Sequence, residues 1–376
     1  MFGVVVVDLI GFGIVMPVLP FYAEEYGASA TTLGLLLAVY AAAQFVFAPL
    51  WGRLSDRIGR RRVMILTVAG TAVSLGALAL ADTLAGVFAA RLLAGVFAAN
   101  VGVASAYISD VTADDERTRW MGMLGASFGV GFLLGPAIAF ALAPWGYRAP
   151  LVAAACLAAI NVLLVVAALR EPAQHAGGSA GRMSRRDVLR DPLLRRLCGV
   201  NLLFSIAVTQ LETVFAFFMM DRFDYDLREV ALVFAGMAVL MGGIQGGGMR
   251  ALAARFSERG LVVTGSMVLG AAFLLVPQSP TVPVLLVPLA LAAAGRAILQ
   301  PSLLSLTSLT APPESRGVVL GTFQSAASLA RVVGPVAAGW LYDQTQAAPF
   351  WLAGCLLAVV ALLGRTLPGR ERAPGA

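Results

Sequence analysis

Runs of about 20 apolar residues recur along the 376-residue chain, separated by short connections that carry arginine. That alternation allows few folds, because about 20 apolar residues are what an α-helix needs to cross the hydrocarbon of a bilayer. Charged residues make up 13% of the chain, against roughly 25% in soluble domains. The chain is read as an all-α polytopic membrane protein.

Twelve spans are expected, near 2–22, 31–50, 63–81, 84–108, 120–143, 149–169, 197–220, 230–249, 261–278, 282–308, 318–341 and 348–366. All 27 basic residues are arginine, and 21 of them lie in alternate loops or the C-terminal end, while three (Arg148, Arg222 and Arg228) lie on the opposite side. Basic loops are retained in the cytoplasm, so both termini are expected there. The first apolar run contains Asp8, Gly11, Gly13, Pro17 and Pro20, unlike the plain core of a cleavable leader. Residues 171–196 are linker-like and then basic; six spans precede them and six follow. Arg117, Gly122, Gly135 and Pro136 recur as Arg316, Gly321, Gly334 and Pro335 at a constant offset of 199 residues. Duplicated halves around a midplane cavity are a common transporter plan. The expected division is 1–170, a cytoplasmic linker 171–196, and 197–376.

Several function classes are excluded on residue types. The formal charge of +6 is explained by topology-setting loops and does not point to nucleic acid. The single histidine, His175, lies in the linker, and Cys156, Cys198 and Cys355 have no metal-binding spacing and are read as packing residues. Neither a metal site nor a cofactor nor an enzymatic constellation is expected. A chain without lysine cannot contain the phosphate-binding loop of a nucleotide-driven pump.

Residues 51–64, WGRLSDRIGRRRVM, form the densest charge cluster between two spans. They resemble the G-x-L-x-D-R-x-G-R-R signature loop of the major facilitator superfamily. Asp8 to Pro20 resembles the D-x-x-G-x-G-x-x-x-P-x-L-P motif of its twelve-helix drug:proton antiporter branch. Arg91 to Gly95 resembles R-x-x-x-G, and Gly131, Gly135 and Pro136 resemble the fifth-span antiporter motif, with Ala139 and Phe140 in place of its final glycines. The N-terminal half is most similar to tetracycline efflux proteins. The resemblance implies two pseudo-symmetric six-helix halves in a bacterial inner membrane and proton-coupled efflux of small amphipathic drugs, such as tetracycline-like compounds, by alternating access. An exporter of an endogenous metabolite (a sugar, amino acid or secondary metabolite) is the alternative, and a non-transporting sensor a further one. The expected partners are a small-molecule substrate, protons and the lipid bilayer, with the protein monomeric.

Ionisable residues inside spans are expensive and mark function by default. Asp8 and Glu212 are the candidate proton carriers, and Arg91 is expected to need an acidic or carbonyl partner and to tune a nearby acid. The resemblance assigns gating to Gly52, Asp56, Arg57, Gly59, Arg60 and Asp110, with Asp56 docking at a helix N-terminus of the C-terminal half and Arg60 bridging to Asp110. Gln44, Phe128, Gln210, Arg296, Gln300 and Gln324 are expected to line the substrate cavity, and Phe12, Tyr40, Phe45, Phe204, Phe215 and Phe323 could add greasy surface to it, although each taken alone reads more simply as lipid contact or core packing. Arg296 departs from the family pattern: it either favours an anionic substrate or pairs with Glu212. The ninth-span acid and eighth-span histidine of the tetracycline exporters have no counterpart, and the loop over 250–260 keeps only traces of the signature.

Overall fold

The computed structural model describes residues 1–112, 114–171, 184–312 and 315–368. Among these there is no strand, and eleven segments are long and apolar enough to cross a bilayer. The helices of the first part are α1 (Phe2–Glu24), α2 (Ala30–Ile58), α3 (Arg60–Leu80), α4 (Leu84–Phe97), α5 (Asn100–Val111), α6 (Asp114–Leu142) and α7 (Arg148–Ala168). There follow α8 (Arg185–Arg190), α9 (Pro192–Phe223), α10 (Leu227–Gly243), α11 (Met249–Arg255), α12 (Glu258–Leu275), α13 (Val282–Thr310), α14 (Arg316–Gln344) and α15 (Ala348–Arg365). The expected eleventh span is α14, 29 residues long. It is a further long helix beyond those eleven, and it carries Arg316, Gln324, Arg331 and Asp343 along its length.

Three local features differ from the linear reading. The fourth span is two helices, broken where Ala98 and Ala99 leave helical geometry (ψ 58° and 0°). The carbonyls at the break are satisfied from α2: Gln44 Nε2 donates to Ala98 O at 3.0 Å and Trp51 Nε1 to Val96 O at 2.6 Å. The eighth span runs on through a π-turn at Ile244–Gly248 into α11. The expected 250–260 loop is therefore mostly helix, with only Phe256 and Ser257 between α11 and α12. In the expected linker, Ser184 and Asp187 form a capping box that starts α8. The Ser184 hydroxyl and amide hold the Asp187 carboxyl below its ordinary range. Of the linker, residues 172–183 lie outside the described residues.

The helices group into two compact units, Met1–Gly178 with Ala216–Ala238, and Ser179–Phe215 with Val239–Ala376. Residues 216–238 thus belong to the first unit's packing, a grouping that the linker-based boundary did not anticipate. In the first unit, Val5, Leu9, Met64, Val68, Val103, Ile108 and Val165 join α1, α3, α5 and α7 in one buried cluster. Where α1 meets α6, a side chain on Gly131 would run into Leu9, and one on Gly135 into the backbone of Gly13. In the second unit, Gly265 and Gly295 allow α12 and α13 the same closeness. Small residues let helix backbones approach in membranes, where dispersion rather than hydrophobic burial drives packing. Phe204, Phe215 and Phe323 are buried in the core, in line with the packing expected of each taken alone. Cys198 is buried as expected of a packing residue, whereas Cys156 and Cys355 are exposed.

Gly135→Ala places a methyl against Gly13 backbone and is expected to lower stability by about 1–3 kcal/mol, the usual range for overpacking. Gly122→Ala on the same helix, with open space around it, should leave the thermal unfolding midpoint of the purified protein unchanged. Equal midpoints for both variants would rule out the close α1–α6 crossing.

Candidate functional site

The loop between α2 and α3 is organised by Arg60. Its Nη1 lies 2.5 Å from Asp56 Oδ1, one turn back, and donates to Ser55 Oγ at 2.6 Å. Its Nε donates to Asp110 Oδ2 at 2.8 Å, near the end of α5. Ser55 in turn donates to Gly52 O at 2.7 Å. One guanidinium therefore ties the end of α2, the start of α3 and the end of α5 through charge-assisted bonds. The Asp56 side chain is still 60% exposed, and Arg57 is exposed as well.

Gly59 breaks the α2–α3 boundary at φ +107°, where a side chain would be strained and would also strike the Glu171 carboxylate. That carboxylate accepts from the Arg61 amide at 3.2 Å, in the first turn of α3, where the N-terminal helix dipole favours an anion. Arg61 Nη2 donates to Val166 O at 2.8 Å, and Tyr107 OH to Arg170 O at 3.0 Å. Glu171 was not among the expected site residues. Its only sequence signal is an acid directly after a span, opposite a basic loop.

Inside the spans, the structure separates the four ionisable candidates. Asp8 Oδ1 accepts from Asn100 Nδ2 at 2.6 Å. Asn100 lies within reach of Thr71 Oγ1 at 3.3 Å, and its own Oδ1 is buried without a partner. Asn100 is 4% exposed and sits directly after the α4–α5 break, which aims it at α1 and α3; sequence reading missed it, since a lone amide in a span gives no pattern. Arg91 is buried, and its guanidinium carbon lies 4.3 Å from the Tyr40 ring centroid. Among the described residues no carboxylate lies within ion-pair distance of it, and its Nε has no partner. Of the acidic or carbonyl partner expected for Arg91, the acid is not found among the described residues, and an aromatic face lies against the guanidinium.

Glu212 and Arg296 do pair, at 2.6 Å between Oε1 and Nη1, so the open alternatives for Arg296 resolve to pairing in this state. The expected cavity residues divide. Gln300 and Gln324 are exposed on α13 and α14, and Phe128 is 38% exposed. Gln44 is half-buried and bonded to the α4 break. Gln210 is fully buried and donates to Gly334 O at 3.1 Å. These last two amides hold backbone rather than an open surface. The antiporter-motif residues Gly131, Gly135 and Pro136 are all buried.

Removing Arg60 breaks bonds to two carboxylates and a buried hydroxyl. Arg60→Ala is expected to destabilise by about 1.5–3 kcal/mol, the range for hydrogen bonds to charged groups. Arg57→Ala at an exposed site should stay within about 0.5 kcal/mol. Thermal unfolding of both variants checks this, and a wild-type midpoint for Arg60→Ala would refute it.

Comparison with known proteins agrees with this architecture. A family model described as Major Facilitator Superfamily matches residues 1–259 and 248–376. The tetracycline resistance protein of class D from Salmonella ordonez is 34% identical over 388 residues, covering 97% of this chain and 96% of that protein. The crystal structure of the human organic anion transporter MFSD10 is similar with a TM-score of 0.72 at 28% identity, covering 96% of this chain and 97% of that one. A bacterial homolog of the human lysosomal transporter Spinster, in an inward-facing and occupied conformation, shares the fold with a TM-score of 0.84 at 14% identity, covering 97% and 94%. With its basic loop knotted by one arginine and ionisable residues held inside long apolar helices, the chain belongs to the major facilitator superfamily of multi-pass membrane transporters.

Proposed function

We propose that this protein is a proton-coupled exporter of small amphipathic molecules that works by alternating access in a bacterial inner membrane, as a monomer with both termini cytoplasmic. Export is supported by full-length likeness to tetracycline resistance proteins. The observation that carries the proton coupling is the setting of Asp8. It is an acid inside a span whose recorded partner is the neutral amide of Asn100. An intramembrane carboxyl without a salt bridge can gain and lose a proton without breaking an ion pair. Glu212 lacks that freedom while Arg296 holds it, so Asp8 is the proton carrier we favour, with Arg91 a second fixed charge inside the spans, held on the Tyr40 face.

The loop built on Asp56, Arg60 and Asp110 is the proposed gate. Its ion pairs stabilise one arrangement of the loop, and a contact present in one transport state alone biases the equilibrium between states. Tetracycline-like compounds are one candidate cargo. Organic anions are a second, favoured by likeness to the human organic anion transporter MFSD10.

Two variants test the reading in an efflux-deficient host exposed to tetracyclines, macrolides, phenicols and cationic dyes. Wild type is expected to confer resistance to at least one compound, and Asp56→Asn to abolish it at matched expression. In inverted vesicles, Asp8→Asn should lose export driven by a pH gradient while still exchanging labelled substrate across the membrane. Normal proton-driven export by Asp8→Asn would remove Asp8 from the coupling, and normal resistance with Asp56→Asn would end the gate.

A further inference from the structure

The ion pair between α9 and α13 is not fully satisfied. Replacing a buried ion pair by apolar residues is often neutral or stabilising, so its presence inside two spans asks for another reason. The two side chains remain 22% and 28% exposed. Charged groups within spans turn toward protein or a water-filled cavity rather than lipid, so the pair is reachable from water. A guanidinium has five N–H donors, and Arg296 engages Glu212 through Nη1 alone, while its Nε is buried without an acceptor. A pair serving only to pack two helices would be expected to satisfy such a donor.

The surroundings supply a second partner for a ligand. Gln300 follows Arg296 by four residues on α13, hence on the same helix face, and is exposed. The rotation of α13 that presents this face is held by the Gly265–Gly295 approach to α12, where an added side chain on either glycine would meet backbone. Arg296 is therefore aimed by rigid helix packing rather than by its counterion.

We propose that the Glu212–Arg296 pair is a displaceable ion pair that receives the carboxylate of an amphipathic organic anion, with Arg296 binding the anion, Gln300 hydrogen-bonding beside it, and Glu212 holding the guanidinium between ligands. This rests on the transporter reading above and names a substrate class for it. No proton transfer is required at this site, so the exchange of protons at Asp8 stands apart from it. Glu212 is then a competitor of the substrate, not its ligand.

That role makes the two residues behave oppositely. Binding of hippurate, an aromatic monocarboxylate, and of rhodamine 6G, a permanent cation, is measured with the purified full-length protein in nanodiscs. R296Q should weaken hippurate about tenfold or more, corresponding to loss of a charge-assisted hydrogen bond. E212Q should tighten hippurate severalfold, a gain that misfolding cannot produce, while rhodamine 6G is not tightened by it. Hippurate that fails to bind the wild type, or binding weakened by both substitutions, overturns the proposal. Export by the wild type, followed in parallel, separates the two readings: intact export with hippurate binding indifferent to both substitutions removes the anion site alone. Absent export with hippurate binding as expected removes the transport reading and leaves the site.

Discussion

The hydrocarbon of a bilayer offers no hydrogen-bond partner, and the rest of this structure depends on that constraint. Backbone N–H and C=O groups placed at membrane depth must find their partners within the protein. The break at Ala98 shows how. Opening the fourth span frees backbone carbonyls, and Gln44 and Trp51 of α2 donate to two of them. Because those donors exist, the chain can afford an interruption that places Asn100 at a helix start, facing Asp8. A side-chain amide on α2 thus underwrites the geometry of an acid on α1, although Gln44 itself touches no candidate proton site.

Close helix contact is the second requirement. With lipid as apolar as leucine, helices associate by van der Waals fit, and glycine provides it where α1 meets α6 and α12 meets α13. Gly131 and Gly135 belong to a motif associated with export in the resembled branch. Here they are the residues that let α6 approach α1, the helix carrying Asp8. The close packing and the proposed proton site thus share one helix, α1. Gly59 has a different reason: its positive φ turns the chain between α2 and α3, and its missing side chain leaves room for Glu171 to cap α3.

The charges then sort by what surrounds them. Arg60 has two carboxylates and a hydroxyl and acts as a structural knot. Arg91 has an aromatic face, Asp8 a neutral amide, and Arg296 a carboxylate with donors to spare. Ion pairs restrain, whereas an acid bonded to an amide can change its charge at lower cost, and that contrast distinguishes the proposed proton carrier from the proposed gate and the proposed anion site.

Much of the architecture was legible in the chain itself. Apolar run length defines a spanning helix because the bilayer has a fixed thickness, and the signature loop named the family through residues adjacent in sequence, where Asp56 and Arg60 are one helical turn apart. The Arg60–Asp110 bridge was implied by resemblance and is present. What the linear pattern left open depends on residues far apart along the chain: Asn100 against Asp8, Glu171 against α3, Tyr40 against Arg91. Periodicity says which residues share a helix face but not which helix lies opposite. For that reason Gln44 and Gln210, polar residues in spans, read as cavity lining until the fold gave each a backbone carbonyl to hold. Arg296 shows the same division: the sequence determined that a costly charge sits in a span, and only the packing of α13 on α12 and its approach to α9 decided that its partner is Glu212.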